Sequence, residues 1–114
     1  MNSIRNKVTL IGNLGNNPEV KVLDNNKRVA RLSVATNETY KNKQGEKITE
    51  TTWHNVVAWG PLAQLVEKFL KKGSEVCLEG KLVNKSWTDK EGIKRYSTEI
   101  LVHGVQLLGS KLAA

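Results

Sequence analysis

Cysteine is nearly absent from this chain: Cys77 is the only one among 114 residues. A lone thiol excludes an internal disulfide and has no second cysteine with which to build a zinc site. It lies in Val76-Cys77-Leu78, an apolar strand pattern that suits a buried, inert thiol. Histidine is scarce as well. His54 and His103 are the only two, and neither has a cysteine or carboxylate at metal-ligand spacing, so no metal and no cofactor is expected. Paired carboxylates and a Ser/His/Asp arrangement are missing, which argues against an enzyme. Gly12-Asn13-Leu14-Gly15 has the spacing of a nucleic-acid clamp that normally joins helices, but here it follows a strand. Lys71-Lys72-Gly73-Ser74 lacks the upstream glycine of a phosphate-binding loop. No apolar run approaches a membrane span, and no segment forms a long basic amphipathic helix, so no membrane partner is expected. The opening Met1-Asn2-Ser3-Ile4-Arg5-Asn6 lacks the apolar stretch of a secretory signal, and the expected location is cytoplasmic.

What the chain does have is positive charge. Eighteen Lys and Arg stand against 11 Asp and Glu, a formal charge of +7, which favours a polyanionic partner. The chain also has one long β-pattern around which the rest is arranged, Thr49 to Gly60, rich in Thr, Val and Trp and closed by Gly60-Pro61. Side chains alternate along a strand, so Thr51, Trp53, Asn55, Val57 and Trp59 share one face. A flat, aromatic and partly polar face suits unpaired bases. A core role for both indoles fits the same pattern, because a bend or bulge can exchange faces.

The other elements follow in order. Lys7 to Ile11 is a first strand, and the turn formers from Gly12 to Pro18 end it. Val20 to Leu23 is a short extended piece. Val29 to Thr36 is a strand with Ala30, Leu32 and Val34 on its apolar face and Arg31 and Ser33 on the other. A polar basic hairpin, Tyr40 to Lys47, leads into the tryptophan strand. Pro61 opens a helix, with Leu62, Leu65, Val66, Phe69 and Leu70 at helical spacing and Gly73 as its stop. Lys68, Lys71 and Lys72 complement the helix dipole. Glu75 to Trp87 is a strand bent at Gly80, Asp89 to Gly92 a turn, Ile93 to Val102 the last long strand, and Val105 to Leu108 a short continuation. The expected fold is all-β: a five-stranded OB-fold barrel with one α-helix between strands 3 and 4. An SH3-like barrel or an open sheet on a helix also fits the pattern. A single such domain over residues 1–110 is expected, with 111–114 a short end.

Two hairpins combine rings with cations. Tyr40 to Lys47 contains Lys41, Lys43 and Lys47. Lys85 to Tyr96 contains Lys85, Trp87, Lys94 and Arg95. Rings stack on bases of any identity, and cations neutralise phosphates. A solvated charged turn is the plainer role for either hairpin alone.

Several segments together resemble the bacterial single-stranded DNA-binding protein family. They are Asn6 to Gly15 with Pro18-Glu19-Val20, Leu32 to Thr36, Thr52 to Val57, Leu70 to Ser74 with Glu79 to Leu82, and Trp87-Thr88-Asp89 with Tyr96 to Glu99. The resemblance spans roughly residues 6 to 108 in the family's order. It implies an OB-fold that binds single-stranded DNA without sequence preference, as a homotetramer or a dimer, in the cytoplasm and associated with the nucleoid. It further implies stacking on Trp53, Trp59, Trp87 and Tyr40; Trp59, which closes the Trp-His strand, stands where the family often has Phe, and Tyr40, in the hairpin before that strand, where it often has Trp. Phosphate contacts fall to Lys41, Lys43, Lys47, Lys85, Lys94, Arg95, Arg31 and Lys7, and a subunit contact to His54. The family commonly continues into a flexible linker and an acidic tail that recruits other enzymes. This sequence ends Gly109-Ser110-Lys111-Leu112-Ala113-Ala114, which puts that route of recruitment in doubt. A tailless primosome-type protein binding DNA and a helicase, or a cold-shock-like RNA binder, are the alternatives.

Overall fold

In the computed structural model, which describes residues 4–108, every stretch of apolar alternation is extended chain. The elements are β1 (Val8–Leu14), β2 (Glu19–Val22), β3 (Arg28–Lys41), β4 (Lys47–Trp59), α1 (Pro61–Phe69), β5 (Glu75–Thr88) and β6 (Lys94–Leu107). They form one sheet in the order β1-β5-β6-β4-β3-β2. The pairs Asn13↔Ala35 and Leu14↔Val34 join β1 to β3, which closes five of the strands into a barrel. Closure removes the unpaired edges that a sheet of such long strands would otherwise present. It also demands a close approach: a Cβ at Gly12 would collide with the carbonyl oxygen of Ala35.

The short piece read at Val20 to Leu23 is β2, hydrogen-bonded to β3 outside the closed ring. Counting it gives six strands, and α1 then follows the fourth. Among the five barrel strands α1 lies between the third and fourth, as the sequence suggests. The bend at Gly80 is a register shift: Glu79 faces Gly104 and Gly80 faces Val102, so β6 carries one extra residue there. β6 runs unbroken through this bulge, where the sequence reading divides it in two. Residues 111–114 lie outside the described residues.

The core is built from the inward faces. Leu32 and Val34 of β3, Val56 and Ala58 of β4, Val76 and Leu78 of β5, and Ile100 and Val102 of β6 are all buried. Helix α1 packs against β3, β4 and β6 and adds Ala63 and Val66 to this core, joined by Leu70 just past its end. Its inward stripe therefore includes the small Ala63, while Phe69, at helical spacing with the apolar residues, is exposed with Lys68 above its ring. The chain after α1 is tied down by Gly73 N–H donating to the Leu14 carbonyl and Leu14 N–H donating to that of Ser74.

Beyond the barrel the two hairpins extend as ribbons. Backbone pairing of β3 with β4 continues without interruption to Lys41↔Lys47, and that of β5 with β6 to Thr88↔Lys94. These arms raise the radius of gyration to 16.4 Å, above the about 13 Å of a fully compact chain of similar length.

Candidate nucleic-acid interface

Strand register decides which side chains meet. Residues paired across neighbouring strands project to the same face. Trp53 faces Ala35, Asn55 faces Ser33, and Val57 faces Arg31 across β3 and Leu101 across β6. On the neighbouring pair Val83 faces Glu99, Lys85 faces Ser97, and Trp87 faces Arg95. One outer wall, spread over β3, β4, β6 and β5, thus carries Trp53, Trp59 and Trp87 together with Arg31, Lys85, Arg95 and Glu99. Lys41 and Lys47 lie on the same side of the β3–β4 ribbon.

The three indoles are open to solvent: Trp53 is 61% exposed, Trp87 50% and Trp59 39%. They are not core residues, which removes one of the two roles the sequence allowed for Trp53 and Trp59. The Trp53 ring rests against the backbone at Gly15, where a Cβ would collide with the six-membered ring of the indole. Gly15 is itself held by its N–H donating to the Ser33 carbonyl.

Tyr40 is exposed too, but the register sets it apart. It pairs with Ile48, on the side of the ribbon opposite Trp53. Its hydroxyl donates to Glu50 Oε1 at 3.0 Å. Lys94 and Tyr96 likewise occupy the side of the β5–β6 ribbon opposite Trp87, with Lys94 Nζ 5.6 Å from the Tyr96 ring centre. Lys43 lies in the turn at the tip of the first arm. Lys7 is on a different wall, that of β1 and β5, paired with Glu79 at 3.7 Å. His54 points to the core side of β4, its Nε2 3.0 Å from Thr36 Oγ1.

Between the tryptophans lies a cavity of about 280 Å³, whose lining includes Asn16, Arg31, Ser33, Asn55, Val57 and Glu99. Its floor is Val57, only 3% exposed although it faces outward. Two of its lining residues, Arg31 and Glu99, belong to an ion-pair bridge. Arg31 Nη1 reaches from β3 to Glu99 Oε2 at 2.9 Å, and Lys85 Nζ reaches from β5 to Glu99 Oε1 at 3.2 Å. Partial burial pushes the Glu99 carboxyl up, but the hydrogen bonds and charges of Arg31 and Lys85 together hold it below its ordinary value. Arg95 is tied by its Nε to Asp89 Oδ2 at 3.0 Å. The backbone N–H of Ile93, helped by Arg95 and the N–H of Glu91, draws the Asp89 carboxyl down against the opposing effect of desolvation.

Glu99 and the cavity are what the sequence reading missed. The signal was available: counting back from the Asp89 to Gly92 turn places Glu99 on the face of Lys85 and Trp87. Among the described residues no group of His, Cys, Asp and Glu is arranged to hold a metal, and no helix is long and apolar enough to cross a membrane.

Comparison with known proteins agrees with this geometry. The sequence pattern of the Single-strand binding protein family matches residues 5–108. The chain is 49% identical over 107 residues to the Single-stranded DNA-binding protein 1 of Xylella fastidiosa (strain 9a5c), covering 93% of this chain and 79% of that one. Its backbone is similar to the structure of a Plasmodium falciparum SSB in complex with single-stranded DNA, with a TM-score of 0.82 and 31% identity over 96% of this chain and all of the other.

Proposed function

The chain belongs to the single-strand binding protein family, and on that premise we propose that it binds single-stranded DNA without regard to sequence and protects it during replication, recombination and repair. It is a binder rather than an enzyme. The observation that carries this reading is the exposure of Trp53, Trp59 and Trp87 on one wall that also bears Arg31, Lys85 and Arg95. A single strand presents unpaired bases and a chain of phosphates, and this wall offers rings for the first and cations for the second. Each stacked base contributes about 1–3 kcal/mol, a range measured in proteins of this very family. Stacking ignores base identity because every base has a π face, so the wall does not select a sequence.

Phosphates follow Lys41, Lys43, Lys47 and Lys94 along the arms, and Tyr40 supplies a fourth ring. Lys7 joins this path where the strand continues round the barrel onto the β1–β5 wall. The assembly we assign is a homotetramer with His54 at a subunit contact. Support for a covered surface comes from Ile11, 59% exposed beside Cys77, farther along β1 from the Lys7 end of that wall. The expected location is the cytoplasm, associated with the nucleoid.

The test is titration of intrinsic tryptophan fluorescence with poly-dT. Strong quenching is expected, and unchanged emission at saturating DNA would reject stacking. Trp53→Ala is expected to weaken binding to poly-dT, poly-dA and mixed sequence alike. With about five phosphates neutralised per protomer, log K falls against log salt with a slope near −3.5. Mass measurement in solution separates a tetramer from a dimer.

A further inference from the structure

Three of the cations on the stacking wall are already engaged by the protein: Arg95 by Asp89 of its own hairpin, Arg31 and Lys85 by a shared carboxylate. Arg31 and Lys85 come from strands on opposite sides of the cavity, and both converge on the one carboxylate of Glu99. That carboxylate is only 12% exposed, so its charge is answered by these two side chains far more than by water. By contrast, Lys41, Lys43 and Lys47 at the first arm make no ion pair among the described residues. The centre of the wall therefore presents two cationic heads but one net positive charge.

We propose that Glu99 sets the strength and salt sensitivity of the groove: it clamps Arg31 and Lys85 across the cavity and cancels one of their charges, so that a phosphate chain competes with a protein carboxylate for both. The proposal rests on the single-stranded DNA reading above. A phosphate bears the same charge and the same kind of acceptor oxygens as a carboxylate, and both guanidinium and ammonium groups serve either. Glu99 thus occupies, in the free protein, the electrostatic place that a phosphate takes on binding. Full exchange is costly, because it strands a largely buried carboxylate. Full retention is costly as well, because an anion then stays close beneath the phosphates. In both cases Glu99 weakens the grip on DNA and makes release easier, while the rings remain free to stack.

The experiment is fluorescence titration with oligo-dT at 50 and 200 mM salt, on the wild type, Glu99→Gln, Arg31→Met and the double variant Arg31→Met/Glu99→Gln. Removing one negative charge from the groove is expected to tighten binding at the lower salt by about fivefold. It should also steepen the salt slope by about 0.7, so that the advantage shrinks by about 2.6-fold at the higher salt. The double variant has the wild-type net charge and should return to the wild-type slope. Circular dichroism establishes that each variant folds. If Glu99→Gln alone does not, Arg31→Met against the double variant isolates the same charge, with the double variant again steeper by about 0.7. Equal slopes within that pair, or weaker binding of Glu99→Gln at both salts, overturn the proposal and leave Glu99 a structural brace. Failure of the wild type to quench at all would instead remove the single-stranded DNA reading.

Discussion

At the scale of single residues, two contacts decide how the wall is presented. The first is Gly15 beneath Trp53. Gly15→Ala puts a methyl group where the indole now rests, so the ring must swing away from its seat. Affinity for oligo-dT is expected to fall by about 1 kcal/mol, the lower end of one stacking contact. The emission maximum of the free protein should shift, and the far-ultraviolet circular dichroism should not. The second contact is the Glu99 bridge, and its pH dependence has a definite sign. Because the folded carboxyl titrates below its ordinary value of 4.5, the charged form stabilises the fold. That contribution is complete above about 4.5 and is lost as pH falls through the lowered folded value. The melting temperature of the wild type is expected to exceed that of Glu99→Gln near neutrality, with the gap closing in acid. Asp89 is also drawn down, but it is present in both proteins and drops out of the difference. A gap that stays constant from pH 7 to pH 3 would contradict the bridge.

At the scale of elements, the strands and the helix were legible wherever burial imposes a period. Alternation in β3 separated Leu32 and Val34 from Arg31 and Ser33, and Gly60-Pro61 marked the start of α1. The arms were less legible. Asn37, Glu38 and Thr39 belong to β3 yet leave no hydrophobic trace, because the ribbon is held by cross-strand backbone bonds rather than by a core. Ala63 was invisible for a related reason: a small side chain fills the close approach of helix to barrel and adds nothing to an apolar stripe. Glu99 was missed because charge was read along the chain and not across the sheet. The core draws on every long strand of the barrel, and β5 supplies Val76 and Leu78. Leu78 is 1% exposed and packs among the core residues. Leu78→Ala is expected to cost about 3 kcal/mol through the cavity it leaves, read from urea unfolding. Because Leu78 faces away from the rings, binding per folded molecule should be unchanged.

At the scale of the whole molecule, what matters is that the rings do not share one plane. Trp53, Trp59 and Trp87 occupy one side of the sheet, while Tyr40 sits behind the first ribbon. A strand that engages all four must turn round the ribbon's edge. An oligo-dT labelled at both ends with a donor and an acceptor dye is therefore expected to gain energy transfer when bound. Tyr40→Ala should lower that gain more than it lowers the affinity. A bound strand with its ends as far apart as in an extended chain would contradict this path.

The two-sided ribbon carries a mechanical consequence. A polymer bent round a corner is shorter than the same polymer pulled straight, so tension applied to its ends does work against the bend. A contact at Tyr40, farthest round the turn, would be the first to be peeled away, and those on the tryptophan wall the last. Graded force would thus strip the protein from its ligand in stages, with the arm acting as the part that yields.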